Sequence, residues 1–212
     1  MPLDTKTSAV RAADQLKTMI FRGDFQHGEA LRQDRLAREL DVSRTPLRQA
    51  LQLLDREGLV EHHEFCGARV RTITLDQIDD LFEMRLALEP LAFESTFEKL
   101  SKLDLARAEM ALEAAEATSA LSELTELNWA FHAALYTPCG RVLMLETIKR
   151  LCTTAALAEV VSHSIAVRQE TSHQEHRAVL DLCRTKDMRR AVTALRHHLR
   201  NAHLDLRSRF EE

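Results

Sequence analysis

Val42-Ser43-Arg44-Thr45-Pro46-Leu47-Arg48-Gln49-Ala50-Leu51 holds a helix start, part of a buried stripe and a polar edge within ten residues. Ser43 is a good N-cap, because its hydroxyl can accept from a free N–H of the first turn. Pro46 is tolerated there, where its missing N–H would have no helical partner. Leu47, Leu51 and Leu54 recur at helical spacing and give one apolar side, and Gly58 ends the helix. Arg44, Thr45, Arg48 and Gln49 fall on the other side, near the N-terminus. In a helix-turn-helix those are the positions that meet base edges in the major groove. Arginine can donate two hydrogen bonds to guanine O6 and N7, and threonine can meet a phosphate or a thymine methyl. The helix N-terminus itself favours a phosphate. The same residues also suit a solvated face of a small helical domain, and on this stretch alone both readings stand.

Upstream, Ala9, Ala13, Leu16 and Ile20 predict an amphipathic helix over roughly residues 8–22, ended by Gly23 and Gly28. Leu36, Ala37 and Leu40 mark a short second helix, and Asp41-Val42 makes a tight turn. Downstream, Leu59–His62 and Ala68–Thr72 are short extended runs around Gly67 and predict a β-hairpin. Three helices and a terminal hairpin make a winged helix-turn-helix over residues 1–73.

The run LRQDRLARELDVSRTPLRQALQLLDREGLVE (residues 31–61), followed by Gly67-Ala68-Arg69-Val70, resembles the DNA-binding domain of the GntR family of bacterial regulators. The resemblance implies that Arg44, Thr45 and Arg48 read an operator, with Ser43 beside them. It implies that the wing tip around Cys66-Gly67 approaches the minor groove and that Arg32 and Arg35 hold phosphates. Three positions depart from the family pattern. His27-Gly28 stands for Pro-Gly, Arg32-Gln33 for a Ser-x-Glu helix start, and Asp41 for a glycine before Val42. None of them removes a base-reading residue; they bear on how the second helix is capped.

From residue 74 onward the chain reads as helix throughout. Thr74-x-x-Gln77 is a capping box. Ile78, Leu81, Phe82, Arg85, Leu88 and Glu89 follow at helical spacing, and Pro90 is expected to kink or interrupt that helix. Five further helices are predicted over about residues 102–118, 121–136, 141–161, 166–185 and 188–208, with Pro138-Cys139-Gly140 as the strongest break. The expected fold is therefore mainly α: an N-terminal winged helix-turn-helix and, over residues 74–212, an antiparallel all-helical bundle.

Histidines are the distinctive polar residues of that bundle. Asn128 and His132 share one helix face, His173 and His176 lie on a later helix, and His197 and His198 on the last. Three helices could each offer an imidazole to one point, and imidazole binds Zn, Ni, Mn or Fe readily. Solvent-facing or hydrogen-bonded core histidines are the competing reading. The pattern resembles the FCD domain, the helical effector domain of one GntR subfamily, through Arg85-x-x-Leu88-Glu89, Asn128-x-x-Phe131-His132, His176-Arg177-Ala178-Val179-Leu180, and Asp187 followed by His198-Leu199. Metal-binding members use one Asp and three His. The resemblance therefore implies a divalent transition metal at Asn128, His132, His176 and His198, with Asn128 offering a neutral amide oxygen where a carboxylate is usual. It also implies a small carboxylate effector. Arg85 is the candidate clamp for it, and a salt bridge from Arg85 to Glu89 is the alternative.

Composition narrows the class. The 212 residues contain five Gly and four Pro, too few for a loop-rich or sheet-rich fold. The four cysteines are scattered with no CxxC pair, as expected of reduced thiols in a cytoplasmic protein. There is no apolar run of membrane-spanning length and no signal-peptide pattern at the N-terminus. Residues 1–73 carry 12 Lys+Arg and 11 Asp+Glu, a net of +1, so the DNA reading rests on the pattern of positions and not on bulk charge. The expectation is a homodimeric regulator, a repressor by function, bound to an inverted-repeat operator. The competing class is a metal-dependent hydrolase built on a helical bundle. Against it, no nucleophile motif or phosphate-binding glycine loop is present.

Overall fold

The computed structural model describes residues 7–63, 67–162 and 165–211. The chain divides into two compact units, Met1–Ile73 and Thr74–Glu212.

In the first unit, α1 (Ser8–Phe21) packs against α3 (Arg44–Glu57), and α2 (Gln33–Glu39) lies on α3 as well. Ala12, Leu16 and Ile20 of α1 and Leu47, Leu51 and Leu54 of α3 are buried, the residues whose spacing predicted both helices. Gly58 closes α3 at φ +83°, a left-handed conformation that costs glycine little and an L side chain more. Asp41 takes φ +49° in the turn before α3, so an aspartate fills a left-handed position where the family has glycine. A short polar side chain tolerates that region better than most.

Strands β1 (Val60–His63) and β2 (Gly67–Val70) form the antiparallel hairpin, with Val60 opposite Val70 and His63 opposite Gly67. The sequence did not reveal a third edge. Ala30 bridges Arg69, Leu31 N donates to Ala68 O at 2.9 Å, and Val70 N donates to Glu29 O at 3.0 Å. The loop after α1 thus satisfies the outer edge of β2. Ala68 and Val70 turn inward, and Arg69 between them is half-buried. The wing tip predicted around Cys66 lies outside the described residues; Gly67 begins β2, is exposed, and has φ +74°.

The second unit is a helical bundle: α4 (Leu75–Thr96), α5 (Lys102–Ala117), α6 (Leu121–Tyr136), α7 (Val142–Val161), α8 (Ile165–Arg184) and α9 (Met188–Phe210). Its core joins Phe93, Phe131, Leu135, Ile148, Val179, Leu180, Leu195 and Leu199. Thr74 and Gln77 form the predicted capping box at the start of α4. A second box, Ser101 with Asp104, starts α5.

Pro90 does not interrupt α4, which runs through it to Thr96. Proline leaves the carbonyl four residues earlier without its helical donor. That carbonyl, Leu86 O, accepts instead from Arg196 Nη1 of α9 at 3.2 Å. Helix α9 packs along α4 and makes good the missing bond. Among the described residues, no helix is long and apolar enough to cross a membrane.

Candidate metal centre and nucleic-acid interface

On α3 the predicted reading residues stand together in the open. Ser43, Arg44, Thr45, Arg48 and Gln49 are all exposed, while Leu47, Ala50 and Leu51 anchor the opposite face. Ser43 occupies the N-cap position with extended backbone, but its hydroxyl makes no capping bond, so the helix starts on backbone geometry alone. Arg44 Nη2 lies 2.8 Å from Asp34 Oδ1 of α2, both side chains exposed. Arg32 caps α2 without a side-chain bond, and Arg35 pairs with Glu39 one turn on at 3.5 Å. The missing cap agrees with the departure from the family pattern at Arg32-Gln33.

In the helical unit, α6, α8 and α9 each bring one buried imidazole to a common point. His176 Nε2 lies 3.2 Å from His132 Nε2 and 3.2 Å from His198 Nε2. The three form a group that can hold a metal ion. A tetrahedral ion with metal–nitrogen bonds of about 2.0–2.1 Å separates its ligand nitrogens by roughly 3.3 Å. Two of the three nitrogen pairs therefore stand at ligand spacing, and all three nitrogens lie within 4.8 Å of one another. Burial pushes all three imidazoles below their ordinary range, His132 to about 3 and His176 well below, so they are neutral near pH 7. A neutral imidazole is the form that donates a lone pair to a metal.

Buried polar side chains back this triad, and composition alone gave no hint of them. Glu89 is fully buried on α4. Its Oε1 accepts from Arg85 Nε at 2.6 Å, and its Oε2 accepts from Tyr136 OH at 2.9 Å. Tyr136 in turn lies 3.0 Å from His132 Nδ1. Burial pushes the Glu89 carboxyl up, but Arg85, His132 and the two hydrogen bonds outweigh it and hold it below the usual carboxylate range. On the other side, Glu175 lies 2.8 Å from His198 Nδ1 and pairs with Arg168 at 2.7 Å. Burial also raises Glu175, and its bonds from His198 and Asn201 bring it down on balance. The sequence did carry one signal: Glu89 stands four after Arg85, and Tyr136 four after His132, spacings that share a helix face.

A cavity of about 80 Å³ adjoins the triad, lined among others by Arg85, Asn128, Arg168, His173, His176 and His198. By the measure on which one water needs roughly 10–15 Å³, it has room for about six waters or a small organic anion. Asn128 and the metal-candidate histidines His176 and His198 thus share one wall system. Arg85 reaches the same space, but its Nε is already given to Glu89, the alternative raised from sequence. His173 lines the cavity outside the triad, and His197 is exposed and bonded to Asn201. Cys139, Cys152 and Cys183 are free thiols.

A family model described as "Bacterial regulatory proteins, gntR family" matches residues 8–70, and one described as "FCD domain" matches residues 80–201. The chain is 30% identical over 195 residues to the HTH-type transcriptional repressor GlaR of Escherichia coli, covering 87% of this chain and 89% of that relative. It is 28% identical over 178 residues to the HTH-type transcriptional regulator YdhC of Bacillus subtilis, covering 82% and 80%. The structure of E. coli McbR/YncC shares the fold, with a TM-score of 0.79 at 22% identity over 95% of this chain and 98% of the other. These matches exclude the hydrolase reading, because they join both units to transcription regulators. The chain belongs to the GntR family of DNA-binding transcription regulators, in the branch that carries an FCD domain.

Proposed function

We propose that this regulator is a homodimeric repressor, acting in the cytoplasm, whose hold on an inverted-repeat operator is set by a small carboxylate bound in the helical unit beside a divalent transition metal. Residues 1–73 bind the operator, and residues 74–212 bind the effector and pair the subunits. The observation that carries this reading is the convergence of three buried imidazoles, their ligand nitrogens within 4.8 Å of one another, beside a cavity that Arg85 and Asn128 also line. Repression is supported by the E. coli relative, itself named a repressor. Two-fold pairing is supported by the small size of one winged helix, which alone buries too little surface for strong specificity.

His132, His176 and His198 hold the metal in this reading, with Asn128 as a weak fourth group. When bound, the metal supplies positive charge and an open position to one carboxylate oxygen. Arg85 lends its charge to the effector from the cavity wall while its Nε stays with Glu89. Effector and operator must then prefer different arrangements of the dimer, because a ligand shifts an equilibrium only through differential affinity.

The test begins with elemental analysis of the purified chain before and after chelation. About one equivalent of Zn, Ni, Mn or Fe per chain is expected, with tighter binding in Asn128→Asp, which restores a charge. Less than a tenth of an equivalent, with no recovery on adding metal, would sink the metal reading and leave an anion pocket.

The α3 face carries its own expectation. Arg44→Ala and Arg48→Ala should each weaken operator binding by about 1–3 kcal/mol and relax base preference. Fluorescence anisotropy on operator and random duplexes separates the cases. An equal loss on both would put these arginines on phosphates instead.

A further inference from the structure

The hydrogen bonds behind the triad fix which nitrogen of each ring carries its proton. A carboxylate oxygen can only accept, so Tyr136 OH donates to Glu89 Oε2. The phenol oxygen is then left to accept, and the group 3.0 Å from it is His132 Nδ1. His132 therefore carries its proton on Nδ1 and its lone pair on Nε2. The same logic holds across the site. Glu175 Oε2 faces His198 Nδ1 at 2.8 Å while it accepts from Arg168 Nη2, and Glu175 Oε1 accepts from Asn201 Nδ2 at 2.6 Å. His198 Nε2 is bare in turn.

Both bare nitrogens point at His176 Nε2, 3.2 Å from each. A proton on His176 Nε2 can serve one of these lone pairs at a time. The remaining nitrogens face each other with electron density and no proton between them. A cation at the centre removes that conflict, and the surrounding bonds oppose any ring flip that would relieve it otherwise.

We propose that Tyr136, held by Glu89, and Glu175 are the positioning residues of the triad: they lock His132 and His198 as Nδ1–H tautomers, and Glu175 supplies, one bond behind the ring, the negative charge that Asn128 does not. The second clause rests on the metal reading; the first does not. Donation of the far ring N–H to a carboxylate or its relay orients an imidazole and makes its other nitrogen a better ligand. Here the two anions stand behind two of the three rings. The ligands themselves can therefore be neutral, with an amide at residue 128.

Two substitutions separate the effects. Tyr136→Phe removes the acceptor facing His132 Nδ1 and keeps the ring volume. Glu175→Gln removes the charge and keeps an acceptor for His198. Nitrogen-15 NMR of the full chain, labelled at histidine and stripped of metal, reads the tautomers directly. Wild type should show His132 and His198 protonated at Nδ1. In Tyr136→Phe the proton on His132 should move to Nε2, because a buried N–H without an acceptor is costly, while His198 stays unchanged. Zn(II) affinity, read by competition with a chelator, should fall about 10- to 100-fold in each variant. His132 remaining Nδ1–H in Tyr136→Phe would overturn the locking role. Zn(II) affinity within about threefold of wild type in Glu175→Gln would overturn the charge role. If wild type takes up no Zn(II), the metal reading and the charge role fail together, and the tautomer spectra still decide the locking role.

Discussion

Glu89→Ala should lower the unfolding free energy of the helical unit by about 3–5 kcal/mol, the cost of stranding one partner of a buried ion pair. Arg85 and Glu89 are 5% and 0% exposed, and Arg85 Nε lies 2.6 Å from Glu89 Oε1. Removing the carboxylate leaves a guanidinium deep in the bundle without its anion. It also takes the acceptor from Tyr136 OH and the nearest partner from Cys152 Sγ, 3.7 Å from Glu89 Oε1. Urea unfolding followed by far-UV circular dichroism measures the change, and the unfolding temperature should drop by roughly 10 °C. The double variant Arg85→Met, Glu89→Leu is the control, since an apolar pair of similar volume often restores what breaking a buried pair removes. A loss below about 1 kcal/mol for Glu89→Ala would mean that water reaches Arg85.

Acid should destabilise the metal-stripped helical unit well before it protonates ordinary carboxylates. Burial lowers the folded pKa of His132 from 6.5 to about 3, and burial lowers His176 and His198 as well. As the pH falls, the unfolded chain takes up these protons first, so stability is complete above about pH 7 and declines below it. His132 alone accounts for about 2 kcal/mol between pH 7 and 5, and His176 and His198 add to it in the same direction. Glu89 and Glu175, whose folded pKa values are depressed, add to the decline only below about pH 4.5. The slope therefore begins in the histidine range and steepens in the carboxylate range. Urea midpoints at several pH values in the presence of a chelator give this slope. A midpoint constant from pH 7 to 5 would contradict it and place solvent at the imidazoles.

Local chemistry made much of this molecule legible. Thr74 with Gln77, Gly58 and the Pro138-Gly140 break mark element ends through bonds that close within four residues, so spacing alone reveals them. His132, His176 and His198 were legible as a set because each is the imidazole that matches an FCD motif on its own helix. What stayed hidden depends on partners far away in the chain. Pro90 reads as a helix breaker until Arg196 supplies the donor for Leu86 O, more than a hundred residues later. Glu89 reads as the local partner of Arg85 until Tyr136, 47 residues on, adds its hydroxyl to the same carboxylate. Arg168 and Glu175 carry no motif at all; only the packing of α8 on α9 sets them behind His198.

The triad draws on α6, α8 and α9, so its last member, His198, lies 125 residues beyond Ile73. A ribosome adding about 5–20 residues per second needs roughly 10 s to cover that distance. During that interval the winged helix emerges with every residue of its own core already made, while the growing chain holds at most two of the three imidazoles. On the proposed metal reading, two imidazoles would leave an ion half-coordinated, so a partly made chain would not capture one firmly, and a product that stops short of α9 would carry the winged helix with an incomplete triad. The order of synthesis therefore delivers the winged helix first and the completing imidazole of the triad last.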